Sequence, residues 1–143
     1  MPVKPIPEGY HTVTPYLIVH DVDGLIEFVT RAFDAKGVHR VAHPDGRIMH
    51  AEVRIGDSRV MMGEPTAEWK PMPGVLHLYV DDTDAVYRRA VDAGAASLRE
   101  PTDEFYGDRM AGVSDSFGNQ WWIATHVEDV PPEEMERRTA AQR

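Results

Sequence analysis

The feature that most constrains this chain is that its pattern is written twice. Val19-x-Asp21-x-Asp23 returns as Val80-x-Asp82-x-Asp84 at an offset of 61, and Ala32-Phe-Asp34-Ala35 returns as Ala90-Val-Asp92-Ala93 at 58. Gly46-Arg-Ile-Met and Asp108-Arg-Met agree at 62, as do Gly56 and Gly118. Small changes in helix length account for the drift. A half of about 60 residues buries too little surface to be comfortable alone. The two copies are therefore expected to pack together as a single domain over residues 1–143.

Each copy reads β-α-β-β-β, an α+β class. Residues 12–19 alternate, with Val13, Leu17 and Val19 on one face and Thr12, Thr14 and Tyr16 on the other. Asp21 or Asp23 offers an N-cap for a helix whose Leu25, Ile26, Phe28, Val29, Ala32 and Phe33 form one apolar stripe, and Gly37 is the predicted stop. Segments 38–43, 47–55 and 59–63, parted by turns at Pro44-Asp-Gly46 and Gly56-Asp-Ser58, read as three antiparallel strands.

Residues 64–73, with three prolines, form a linker. The second copy opens with a strand at Val75–Val80 that puts Leu76, Leu78 and Val80 on one face and Val75, His77 and Tyr79 on the other. A helix capped by Asp82 or Asp84 follows, carrying Val86, Tyr87, Ala90 and Val91 and ended by Gly94, with strands near 96–99, 109–114 and 121–126. The modules thus span roughly 10–63 and 74–126. In the tail, 127–143, prolines with early acids and late arginines match a short surface helix. Each helix covers one sheet face, and the opposite faces are expected to line a shared concave groove.

Charge and composition narrow the partners. Fifteen Lys and Arg stand against 24 Asp and Glu, a net charge of −9, and no basic stripe occurs. Such a surface repels a phosphate backbone, which argues against nucleic acid, and attracts a cationic small molecule. A hydrophobic fraction of 42% excludes disorder over most of the chain. The absence of cysteine removes disulfides, thiolate metal sites and cysteine nucleophiles. The first residues lack the apolar core of a signal peptide, and no run is long enough to cross a bilayer. A cytoplasmic location without a membrane partner is the expectation.

Several stretches carry a family likeness: Gly9-Tyr-His-Thr-Val-Thr-Pro-Tyr-Leu-Ile-Val19, Asp45-Gly-Arg-Ile-Met-His-Ala-Glu52, Leu76-His-Leu-Tyr-Val80, Phe105-Tyr-Gly-Asp-Arg109, and Asp115-Ser-Phe-Gly-Asn119 followed by Trp121 and Trp122. With the tandem β-α-β-β-β order they resemble the vicinal oxygen chelate superfamily, which includes glyoxalase I, bleomycin-resistance proteins and extradiol dioxygenases, and within it a PhnB-like, glyoxalase-like branch. The resemblance implies the glyoxalase/bleomycin-resistance fold: two tandem βαβββ modules pairing into a curved, mostly antiparallel sheet with a concave pocket, assembled as a homodimer. It leaves the chemistry open, because this fold hosts isomerases, oxygenases and drug-binding proteins.

Metal-using members place four His or Glu ligands on the first and last strands of each module. By resemblance those places fall here on Thr14, Val60, Val75 and Trp122. Valine and tryptophan offer a cation no lone pair and threonine is a weak donor, so neither the usual metal centre nor any other cofactor is expected. The alternative joins His50 and Glu52, at i and i+2 on one strand, with His77, as catalytic residues and as an improvised site for Zn, Ni or Fe. An imidazole of His50 or His77 is also suited to metal-free acid–base work. His11, His20, His39, His43 and His126 read as surface residues at strand ends or turns.

For ligand binding, Tyr16, Tyr79 and Trp122 fall on the predicted inner face, beside Thr14, and offer flat surface to a planar molecule. Tyr106 and Arg109 are placed to orient a carboxylate or carbonyl; the other reading is a Gly107 turn with Arg109 paired to Asp108 or Asp115. Trp121 points toward the helices, Trp69 sits in the linker, and Met49, Met61 and Met62 read as filler. Two functions therefore stand open: a small-molecule-binding protein of bleomycin-resistance type without metal, or a metal-dependent lyase/isomerase or dioxygenase of glyoxalase type built on His50, Glu52 and His77.

Overall fold

A computed structural model describes residues 2–142. The first module contains β1 (Tyr16–Ile18), α1 (Val22–Phe33), β2 (Lys36–Ala42), β3 (Ile48–Ile55) and β4 (Ser58–Gly63). The second contains β5 (Val75–Tyr79), α2 (Thr83–Asp92), β6 (Ala96–Asp103), β7 (Asp108–Ser114) and β8 (Gln120–His126), and α3 (Pro132–Ala140) follows it. Each module forms a four-stranded sheet, ordered β1-β4-β3-β2 and β5-β8-β7-β6. The first strand of each lies parallel to the last, and the other pairs are antiparallel. The β-α-β-β-β order read from the repeat is therefore the observed one. Contacts divide the chain into two compact units between Gly74 and Val75.

Both helices start where an aspartate accepts from an early backbone N–H: Asp21 from Gly24 at 3.0 Å and Asp82 from Ala85 at 3.1 Å. The end of α1 differs from expectation. It stops at Asp34, which adopts the left-handed conformation (φ 56°) unaided by glycine, and Gly37 instead lies in β2. A short Asp side chain tolerates that conformation, which the glycine signal overlooks. At α2, Gly94 (φ 111°) turns the chain as predicted.

Strand alternation then sorts each sheet into two faces. In the first, Leu17, Val19, Ala51, Val53, Val60 and Met62 are buried on the side of α1, with Val22, Leu25, Val29 and Ala32 of the helix. Val13, expected on this face, precedes β1 and is exposed. In the second sheet Ala111, Val113, Trp121 and Ile123 are buried on the side of α2. The linker is less loose than its prolines imply. Met72 exchanges two backbone hydrogen bonds with Ile18, at 2.8 and 3.2 Å, and covers the free edge of β1. Among the described residues no helix is long and apolar enough to cross a membrane.

The turn before β8 is held by one carboxylate. Asp115 accepts from the backbone of Phe117 (2.8 Å) and Asn119 (2.9 Å), from the Asn119 side chain (2.9 Å), and from Trp121 Nε1 (2.8 Å). Asn119 and Trp121 are fully buried, so losing this acceptor leaves desolvated donors behind. Asp115→Ala should lower the unfolding free energy by about 3 kcal/mol, measured by urea denaturation.

Candidate functional site

On the face opposite its helix, each sheet presents one transverse row of side chains. In the first module the paired residues are Tyr16, Met61, Glu52 and His39, read from β1 across β4 and β3 to β2. In the second they are His77, Trp122, Gly112 and Arg99, from β5 across β8 and β7 to β6. Met61 is thus the counterpart of Trp122. Val60, taken from sequence as the metal-ligand position, is only 3% exposed and faces α1. The error has a local cause. The two-residue Gly56-Asp57 turn is replaced in the second module by five residues, Asp115–Asn119, so aligning the copies on glycine shifts the facing by one residue.

The first row organises a polar cluster. His50 Nε2 lies 2.7 Å from Glu52 Oε2, and its Nδ1 lies 3.1 Å from the Tyr16 hydroxyl. Tyr10 donates to Glu52 Oε1. The N-terminal segment is pinned there by Arg59, whose guanidinium lies 4.9 Å from the Tyr10 ring centroid and whose Nε donates to Gly9 O at 3.3 Å. Glu52 is 7% exposed. Burial pushes its carboxyl up, but hydrogen bonds from Tyr10 and His50, with the charges of His50 and His39, outweigh burial and hold it below the ordinary range. Burial, then the nearby Glu52, raises the Tyr16 hydroxyl. If Nε2 donates to the Glu52 carboxylate, a neutral ring leaves Nδ1 to accept from the Tyr16 hydroxyl.

The second row organises an aromatic face with an anionic end. The Trp122 indole lies against Gly112, where an added Cβ would come within 2.6 Å of Trp122 Cε3; only glycine lets the ring lie on the strand. His77 stands edge-on to Tyr79 with ring centroids 5.0 Å apart. Tyr79 donates to Asp108 Oδ2 at 2.8 Å, and His126 bridges Asp108 Oδ1 (2.8 Å) and Asp129 Oδ1 (2.7 Å). Both imidazole nitrogens face carboxylates, so both must donate, and hydrogen bonds to Asp108 and Asp129 raise the His126 pKa. Burial pushes Asp108 up, yet its bonds from His126 and Tyr79 prevail and lower it.

The residues singled out from sequence divide between these faces. Tyr16, His50 and Glu52 come together on the first, and Trp122, Tyr79 and His77 on the second. Tyr106 donates to Met110 Sδ at 3.5 Å, within its own module. Arg109 does not join either face. It lies on the α2 side, forking onto Asp84 at 2.7 and 3.0 Å and reaching Asp103 at 3.1 Å, so its partners are neither an open groove nor the expected Asp108 or Asp115. Sequence reasoning missed Tyr10, Asp108 and His126, because no spacing marks partners brought together from β5, β7, β8 and the N-terminal segment.

The donors do not fit a divalent cation. The positions that the resemblance marks for ligands, corrected for facing, carry Thr14, Met61, Val75 and Trp122, with no carboxylate or imidazole among them. Both ring nitrogens of His50 are already engaged. Among the described residues no three or more His, Cys, Asp or Glu side chains gather into a group that could hold a metal.

Comparison with known proteins agrees with this fold. The profile of the Glyoxalase/Bleomycin resistance protein/Dioxygenase superfamily matches residues 10–123, and the chain belongs to that superfamily. An uncharacterized protein of Mycobacterium bovis is 34% identical over 141 residues, covering 91% of this chain and 93% of its own. An uncharacterized protein of Mycobacterium tuberculosis strain H37Rv is likewise 34% identical, covering 91% and 83%. Among solved structures, TioX from Micromonospora sp. ML1 aligns with a TM-score of 0.69 at 23% identity over 82% of this chain and 99% of its own. A superfamily member from Sphaerobacter thermophilus aligns at 0.66 with 20% identity over 80% and 96%. These likenesses show the fold.

The His126 bridge makes stability depend on pH. Unfolded histidine loses its proton near pH 6.5, whereas the folded form keeps it to a higher pH. The bridge therefore contributes fully below that value and is lost as pH rises through the folded pKa. The urea midpoint should fall as pH is raised above about 6.5, and His126→Gln should flatten that fall.

Proposed function

We propose that this protein binds a small planar cation on the open face of its second module, without a metal centre. The observation that carries the reading is the Trp122 indole laid on Gly112 beside Tyr79 and His77, with the Asp108–His126–Asp129 trio at one end. With His126 protonated, the trio has one net negative charge. Tyr79 is 65% exposed, so a flat ligand has access to its ring. Aromatic rings attract cations through their quadrupole, and the overall charge of −9 steers them toward the surface. The family supports a ligand-binding role without specifying the ligand. A homodimer and a cytoplasmic location belong to the same proposal. Sedimentation should give twice the chain mass of 16.1 kDa.

Calorimetric titration with N-methylacridinium and with neutral acridine tests the reading. The cation should bind about tenfold more tightly than its neutral counterpart, a difference of about 1.4 kcal/mol. Trp122→Ala should abolish the binding, and Gly112→Ala, which displaces the indole, should weaken it. Equal affinity for the two dyes, or full affinity in Trp122→Ala, would overturn the proposal.

A further inference from the structure

On the first module the rings of Tyr16, His50 and His39 neighbour one another, and that face has a different chemistry. We propose that it holds a metal-free proton relay, Tyr16–His50–Glu52, whose working end is the Tyr16 hydroxyl. The chain of contacts is continuous: Tyr16 Oη to His50 Nδ1 at 3.1 Å, then His50 Nε2 to Glu52 Oε2 at 2.7 Å. Its inner end is closed. Glu52 is buried, its Oε1 accepts from Tyr10, and Arg59 holds Tyr10 in place. At its outer end stands Tyr16, a residue 43% exposed. Room for the hydroxyl depends on Gly63, where an added Cβ would lie 3.0 Å from Tyr16 Oη and 2.8 Å from Met49 O.

A structural ion pair does not require this arrangement. His50 and Glu52 alone would satisfy each other, and an ordinary packing role leaves no reason to aim the second nitrogen at an exposed phenol. With Glu52 as a carboxylate fixing Nε2–H, Nδ1 is left as the base behind the hydroxyl. His39, with its ring centroid 6.0 Å from that of His50, Arg59, and Arg54 paired across from Arg59 are cationic or titratable groups on this face.

The step balances without a co-reactant. A ligand with a weakly acidic O–H, or a C–H beside a carbonyl, gives its proton to Tyr16 Oη while the phenol proton passes to His50 Nδ1. The ligand X–H bond and the original phenol O–H bond break; a new phenol O–H and an imidazole N–H form. The electron pair stays on the ligand as an enolate or alkoxide, and the imidazolium is stabilised by Glu52. Tyr16 then gives its proton to another atom of an enolate while the imidazolium returns the Nδ1 proton to the phenol oxygen, which completes an isomerisation with no change of oxidation state; an alkoxide is simply reprotonated. Tyr16 is the catalytic residue in this scheme; His50 and Glu52 act through it.

Two measurements on the full chain test the relay. Nitrogen NMR of isotope-labelled histidine should show neutral His50 as the Nε2–H tautomer, with the Nδ1 resonance shifted in Tyr16→Phe and the tautomer bias lost in Glu52→Gln. A nitrobenzisoxazole serves as probe carbon acid: removal of its C–H proton breaks the N–O bond and releases a coloured cyanonitrophenolate. Wild-type protein should accelerate this opening over buffer, and Tyr16→Phe and His50→Gln should each cut the acceleration about tenfold or more. His20→Gln, at an exposed position outside the relay, should leave it unchanged. Circular dichroism verifies folding, and the exposed Tyr16→Phe keeps the test decisive even if Glu52→Gln unfolds. An Nδ1–H tautomer, no acceleration over buffer, or full acceleration in Tyr16→Phe would overturn the relay. None of these outcomes bears on dye binding by the second module.

Discussion

The two-residue alternation of the β-strand is the constraint on which the rest of this structure depends. It assigns Leu17, Ala51, Val53, Val60 and Met62 to the helix side of the first sheet, and Tyr16, His50, Glu52 and Met61 to the other. One residue of slip would bury the polar cluster under α1 and expose the core. Register is therefore held by every buried apolar side chain on the helix face, and the chemistry of the open face follows from it.

The two modules share a common frame and fill it with different contents. At the third position of the transverse row stands Glu52 in one module and Gly112 in the other, and at the second Met61 and Trp122. These pairs are physically linked. A large indole at the second position needs the neighbouring strand bare, so the second module has no room for a carboxylate there. The slimmer Met61 leaves space for Glu52, and with it for His50 and Tyr10. One face thus became a flat aromatic surface and the other a chain of hydrogen bonds.

Much of the fold was legible because its signals are local. The strand patterns, the capping aspartates 21 and 82, the Gly94 turn and the buried Trp121 all declare themselves within a few residues. Asp34 escaped notice because a left-handed aspartate looks like any other in sequence. Arg109 was misplaced because its loop was read by likeness, whereas the parity of β7 sends it toward Asp84 on α2. His126 is the surface histidine that was expected, its side chain 51% exposed, but its two carboxylate partners come from another strand and from a following loop and leave no mark in the spacing.

By itself the sequence determined the doubled β-α-β-β-β order, the apolar sides of the helices and the acidic surface. These depend on composition, short-range periodicity and residue chemistry, which need no partner in space. Only the tertiary structure decided that Tyr10 closes over Glu52, that His50 joins Glu52 to Tyr16, and that Trp122 rests on Gly112. Each of those contacts links side chains from different strands or from the N-terminal segment, and hydrogen bonds and ring packing act through distances of a few ångströms. The register between strands sets such distances, and the linear order of residues leaves them undetermined.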